Sequence, residues 1–182
     1  MLAVLEKEAY TGRVGATRGG GGVELLRPVP NASLLALQDI VWEGDEGAQR
    51  VEVHDMTLTF DVVWAGTGAG RVTYDGPSLA AGEYAVKLGD QFVSFSVAEK
   101  SASAQVRGAV DEAKAAVDAL RATGVEHRAT LMSVAAGIYT HAGMPTEALY
   151  LVDAALSDAP NDADLLALRK AIESRSGVLR QK

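Results

Sequence analysis

Two rhythms of apolar side chains divide the chain, and the change falls near Lys100. From residue 9 to about 100, short alternations with a period of two are separated by turn-forming residues, which is the mark of strands. Val23–Arg27 predicts a short strand. Pro28 and Pro30 then stop pairing, because proline has no amide donor. Ile40, Val41 and Trp42 open the next strand, and Gln49–His54 alternates Val51 and Val53 against Glu52 and His54. The clearest alternation follows: Met56, Leu58, Phe60, Val62 and Trp64 on one face, Thr57, Thr59 and Asp61 on the other. Apolar parity changes at His54–Asp55, which predicts a turn or bulge there. Gly66–Gly70 predicts a turn and Arg71–Tyr74 a return strand. In Gly82–Leu88 the inward set is Tyr84, Val86 and Leu88; after the Gly89–Asp90 turn, Gln91–Val97 turns Val93, Phe95 and Val97 to one face. About seven or eight short strands at this spacing predict an antiparallel β-sandwich over residues 1–100.

From Ser101 the period becomes helical. Val106, Val110, Ala113, Val117 and Leu120 mark one stripe of a long helix, with Ser101 or Ser103 to cap it and Gly124 to end it. A second helix carries Leu131, Val134, Ala135 and Ile138 and stops near Gly143. A third starts around Pro145 and buries Ala148, Leu151, Val152 and Ala155. A fourth, capped by Asn161, turns Leu165, Leu168 and Ile172 inward. The fold class is therefore α+β, with an antiparallel helical segment at 101–176 after the sandwich. The polar, basic end at 177–182 reads as a flexible tail, and Ala16–Gly22 as a loop or hairpin tip.

Hydrophobic residues make up 48% of the chain and charged ones 23%, so the core is of ordinary globular size. Aromatic residues are only 5%, which leaves the packing to Val, Leu and Ala. The net charge of −7 comes with no basic stripe to neutralise phosphates, which argues against nucleic acid and against an anionic membrane surface as partners. With no cysteine, disulfides and thiol chemistry are excluded. No apolar run approaches the roughly 20 residues that span a bilayer. The start, MLAVLEKEAY, places Glu6, Lys7 and Glu8 directly after a short apolar stretch and does not read as a signal peptide. The chain reads as a soluble fragment of a membrane-anchored protein.

Candidate chemistry is sparse. Gly66-Thr67-Gly68-Ala69-Gly70 lacks the Lys-Ser/Thr end of a phosphate loop and leads into a strand. His54 and Asp55 are strand neighbours, whose side chains point apart. His127 and His141 lie near opposite ends of one helix, too far apart to share a metal. Glu43, Asp45 and Glu46 form one loop cluster and Asp158, Asp162 and Asp164 another; Asp158–Asp164 lacks the glycine and closing glutamate of a calcium loop, and these carboxylates read as solvated or capping. No catalytic residue, cofactor site or metal site is expected.

Thr130–Asp162 resembles a tetratricopeptide hairpin: Ala135 and Ala136 are the small contact pair, Tyr139 the late aromatic, and Gly143 the turn. Ala148 and Ala155 are the small residues of the second helix, and Pro160 follows it. Met132 stands where that pattern has a large aromatic. The match spans about 34 residues, one repeat, so the flanking helices must complete the layer. Leu25–Asp55, with Trp42 and Gly47–Ala48, and Leu79–Val97, with Gly82, Tyr84, Phe95 and Val97, resemble fibronectin-type-III-like sandwiches of bacterial envelope proteins. In sensors and anti-sigma-factor-type regulators such sandwiches precede a helical segment. The resemblance implies a non-enzymatic interaction or regulatory domain, extracytoplasmic, that binds a protein or peptide. Helical phase offers Arg128, Thr140, Tyr150 and Asp153 as partner contacts. The alternative is a carbohydrate- or small-ligand-binding module, which needs exposed aromatics; Trp42 and Trp64 both sit on apolar faces.

Overall fold

A computed structural model describes residues 23–44, 47–57, 60–121 and 128–175. The expectations for Ala16–Gly22, Asp45, Glu46, Leu58, Thr59, Gly124, His127 and the 177–182 tail lie outside those residues, as do the side chains of Val117 and Leu120. Eight strands and four helices follow in order: β1 (Glu24–Arg27), β2 (Ser33–Leu34), β3 (Asp39–Glu43), β4 (Gln49–Asp55), β5 (Val62–Gly68), β6 (Arg71–Thr73), β7 (Gly82–Leu88) and β8 (Gln91–Val97), then α1 (Lys100–Arg121), α2 (Arg128–His141), α3 (Pro145–Asp158) and α4 (Ala163–Arg175). The mixed α+β composition, strands first and helices after, is as the two rhythms predict.

The strands form two sheets, β1-β3-β6 and β2-β8-β7-β4-β5, antiparallel except for the short β2·β8 pair. Alternation decides what each sheet buries. Val51 pairs with Leu88 and Val53 with Val86, and all four are buried. Leu25, Ile40 and Trp42 from the first sheet join them, with Tyr84, Phe95 and Val97, in one apolar cluster fed by both sheets. Burying a side chain such as Phe95 or Ile40 contributes about 1.5–3 kcal/mol.

Two β expectations are corrected. Met56–Trp64 is not one strand: β4 ends at Asp55, and β5 begins only at Val62. Asp55 is the cause, because its Oδ1 accepts hydrogen bonds from the Thr57 N–H at 2.7 Å and the Thr57 hydroxyl. A carboxylate satisfied this way competes with ladder pairing. The Asp55 N–H donates to the Asp61 carbonyl and closes the loop. Phe60 takes φ 59°, and Met56, Phe60 and Val62 are exposed. The predicted bulge is present, as a register shift between Val53 and His54 in the β4·β5 pairing. The Gly66–Gly70 turn is shorter than expected, since β5 runs to Gly68 and only Ala69 and Gly70 turn, the latter with φ 70°.

The helices pack consecutively, α1 on α2, α2 on α3 and α3 on α4. Alpha-helix α2 ends in a Schellman arrangement: Met144 N–H donates to the Tyr139 carbonyl, Gly143 N–H to the Thr140 carbonyl, and Gly143 takes φ 74°. Pro145 then occupies the first turn of α3, where its missing N–H costs nothing. Ala135, Ala136, Ala148, Val152 and Ala155 are buried at the helix contacts, together with Leu165 and Ile172 of α4. Val134 is not; it is 42% exposed. The fourth helix is capped by Asp162 rather than Asn161: Asp162 Oδ1 accepts the N–H groups of Asp164 and Leu165 at 3.0 and 3.1 Å. The first helix starts at Lys100, one to three residues before the predicted caps, and the Ser103 hydroxyl donates to the Ala98 carbonyl. No described side chain of α1 is fully buried, because α2 alone covers it.

Candidate interaction surfaces

The connection from β1 to β3 has little sheet of its own; between Pro28 and Gln38 only Ser33 and Leu34 pair, with β8. Its backbone donors must therefore find partners elsewhere. One face of α3 supplies them. The Val29 N–H donates to Thr146 Oγ1 at 3.0 Å. Leu35 and Ala36 N–H groups both donate to Glu147 Oε1, at 2.7 and 3.3 Å. The Tyr150 hydroxyl oxygen accepts from Gln38 and Asp39 N–H at 3.3 and 3.4 Å. Helical spacing accounts for this: residues 146, 147, 150 and 153 share one face. Val29 and Ala32 complete the contact in an apolar cluster with Ala136, Ala148, Leu149, Val152 and Ile172.

A chain of alternating charges crosses the same junction. Arg71 pairs with Asp39 at 2.6 Å, Asp39 with Arg27 at 3.8 Å, and Arg27 with Asp153. Asp153 pairs with Arg169 at 2.9 Å, and Arg169 with Glu173 at 3.4 Å. Arg27 and Asp39 are buried, and the Arg27 guanidinium lies over the Tyr150 ring, 5.5 Å from its centroid. Burial pushes the Tyr150 hydroxyl far above its ordinary value, with Asp39 adding to the effect. Burial likewise raises the Glu147 carboxyl, against the opposing hydrogen bonds from Leu35 and Ala36.

Of the four partner contacts offered by helical phase, Tyr150 and Asp153 thus face the β region and are engaged within the chain. The Thr140 hydroxyl donates to the Ala136 carbonyl of its own helix at 2.7 Å. It also lines a cleft of about 240 Å³ with Pro30, Asn31, Gly143 and Pro145. Arg128 opens α2, and its side chain lies outside the described atoms. Glu147, Thr146, Arg27 and Asp39 escaped the sequence reading. One signal was available: Glu147 sits among apolar neighbours in the first turn of α3.

Two surfaces remain open. Between α1 and α2 runs a groove of about 550 Å³, lined by Val106, Ala109, Val134, Gly137, Ile138 and His141. Its lining is mostly apolar or small, and a methyl group added at Gly137 would meet nothing within 4 Å. The second surface surrounds buried His54 near the end of β4. His54 Nε2 lies 3.1 Å from Glu52 Oε2, and Nδ1 lies 3.3 Å from the Phe60 carbonyl. This hydrogen bond, with Lys87 and Arg50 nearby, holds the Glu52 carboxyl below its ordinary value. The His54, Phe60 and Phe92 rings sit 4.7–5.6 Å apart, centroid to centroid, and Phe60 is 45% exposed. Trp42 is in the core, whereas Trp64 is half-buried and donates its indole N–H to Asp75 at 2.8 Å.

His54 bonds to Glu52 and Asp55 to Thr57, so the adjacent pair does point apart. Among the described residues no three His, Asp or Glu side chains converge on one point. No described helix is long and apolar enough to cross a membrane. No family model matches the sequence, and no curated protein matches it.

Proposed function

We propose that the chain is a non-catalytic protein-interaction module in which a fibronectin-type-III-like sandwich serves as the platform for a tetratricopeptide-like helical layer. Its setting in this reading is a bacterial envelope protein with a sensing or scaffolding role. The observation that carries it is the α1–α2 groove, an apolar channel lined in part by small residues beside a helix whose main neighbour among the described elements is α2. Grooves of this kind accept the apolar face of a peptide or helix. Buried Ala135, Ala136, Ala148 and Ala155 support the repeat-like layer, and the cluster fed by both sheets supports the sandwich. Because Tyr150 and Asp153 are engaged internally, the contact surface proposed here is Val106, Val134, Ile138 and His141, with Arg128 on the same helix. A photo-reactive residue at Val134 tests it. A defined adduct that forms from position 134, fails from exposed Ala171 on α4, and weakens with Ala109→Arg is the expected outcome. Equal yields from 134 and 171 overturn it.

One observation favours a second reading, a carbohydrate- or small-ligand-binding module: Phe60 presents an exposed ring beside Phe92 and His54. Sugars stack on such rings. Resonance shifts of Phe60 and Phe92 on titration with oligosaccharides, abolished by Phe60→Ala, would favour it; no shift removes it.

A further inference from the structure

The four sheet edges are not equally protected. Sheet β1-β3-β6 ends in β1, four residues with Glu24 and Arg27, and in β6, three residues with Arg71. The other sheet ends in β2, two residues long, and in β5. Short length and charge are the usual ways to stop an edge from pairing. Strand β5 has neither: it runs seven residues, Val62–Gly68, without a charged residue or a proline. Among the described residues it pairs with β4 on one side only. In an antiparallel ladder alternate residues turn their N–H and C=O groups away from the partner strand, so β5 offers a row of backbone donors and acceptors. Exposed Val62, Ala65 and Thr67 lie along the same strand.

We propose that β5 is a self-pairing edge, where two copies of this chain join antiparallel about Ala65 and their five-stranded sheets become continuous. The strand is complementary to itself in that register. Trp64 meets Gly66 of the second copy, and each Trp64 ring lies over Gly66 of its own strand, so no second bulky side chain opposes it. Val63 meets Thr67, a pair of β-branched residues suited to a sheet, and Ala65 meets Ala65. The strand carries no charged residue, so two copies of a chain of net charge −7 bring no like charges together along it. The contact is isologous, so it closes at two copies and leaves no further β5 edge to extend.

The test uses the full chain. Sedimentation over a concentration series is expected to show a monomer–dimer equilibrium that Ala65→Lys abolishes, since the two new ammonium groups would face each other across the two-fold axis. Ala65 is exposed, so the substitution is compatible with the fold; Thr67→Lys is the second variant should the first lose its circular-dichroism spectrum. The chain has no cysteine, so Ala65→Cys introduces a single thiol. Mild oxidation is expected to link two copies through position 65 and not through Cys placed at exposed Ala116. A chain that is monomeric at every soluble concentration overturns the proposal. So does a dimer that survives both lysine variants, or one that links no faster through 65 than through 116.

Discussion

Replacing Glu147 separates its role as a hydrogen-bond acceptor from its charge. In Glu147→Ala the Leu35 and Ala36 N–H groups lose their acceptor. A buried donor left unpaired costs about 1–3 kcal/mol. Leu35 is half-buried and Ala36 exposed, so water recovers part of that loss. Removing a carboxylate that is itself costly to bury offsets a little more. The net expectation is a destabilisation of about 1–2 kcal/mol, or about 2–8 °C in Tm for a chain of this size. Glu147→Gln keeps an oxygen in place without the charge, and its expected change is within about 0.5 kcal/mol at neutral pH. The pH dependence follows from the direction of the shift. Burial raises the folded-state value above 4.5, so the folded chain holds this proton more tightly than the unfolded chain. The parent gains stability from Glu147 as pH falls from the folded value towards 4.5, and Gln gains none. Any advantage of Glu147→Gln over the parent should therefore shrink on acidification. Urea unfolding of parent, Ala and Gln forms at pH 7 and pH 5 measures all of this. An unchanged midpoint for Glu147→Ala, or a Gln form as unstable as the Ala form, would refute the acceptor argument.

Arg27→Ala removes the cation shared by Asp39 and Asp153 and leaves Asp39 buried; breaking a buried pair costs about 3–5 kcal/mol, read as a lower urea midpoint. Arg71→Ala, whose side chain is 67% exposed, should cost less than about 1 kcal/mol in the same assay. Ala148→Trp overfills a fully buried helix contact and should cost about 1–3 kcal/mol, as should Ala135→Trp; unchanged melting for both would refute the contact. Asp162→Ala removes the cap of α4 and should lower stability by about 1 kcal/mol, while Asn161→Ala should leave it unchanged.

Two strands with partners on both sides were legible to the residue, Gly82–Leu88 and Gln91–Val97, while β3 and β4 run one residue past their predicted alternations. There the period of two reports a single buried face. It misled at Met56–Trp64, where the same period covers a break between β4 and β5, and Met56, Phe60 and Val62 stay exposed. What decided that stretch was the Asp55 side chain capturing Thr57, a local competitor that periodicity does not register. Asn161 and Asp162 are comparable caps by residue type, and the first turn of α4 chose the second. The α1 stripe is apolar as predicted, yet only half-buried where described, because burial needs a second neighbour and only α2 is there. Glu147 was hidden for a different reason. Its partners lie more than a hundred positions upstream, and an acid in a helix first turn ordinarily faces water.

The α3 contact also bears on how the two regions relate. A segment that has only two paired residues between Pro28 and Gln38 cannot satisfy its own amides, and α3 does so through side chains. Removing the helices would thus expose Val29 and Ala32 and strip acceptors from six backbone donors of the β region, those of Val29, Ser33, Leu35, Ala36, Gln38 and Asp39. The helices in turn would lose the cover over Ala148, Leu149 and Val152. Each region completes the other's polar inventory, which favours a single cooperative unfolding transition over two. The consequence for recognition is one of elimination: the polar face of α3 already reads an extended stretch of its own chain, as a repeat protein reads a bound peptide. On the proposed reading a partner would meet the groove beside α1 or strand β5, and neither requires the internal contact to break.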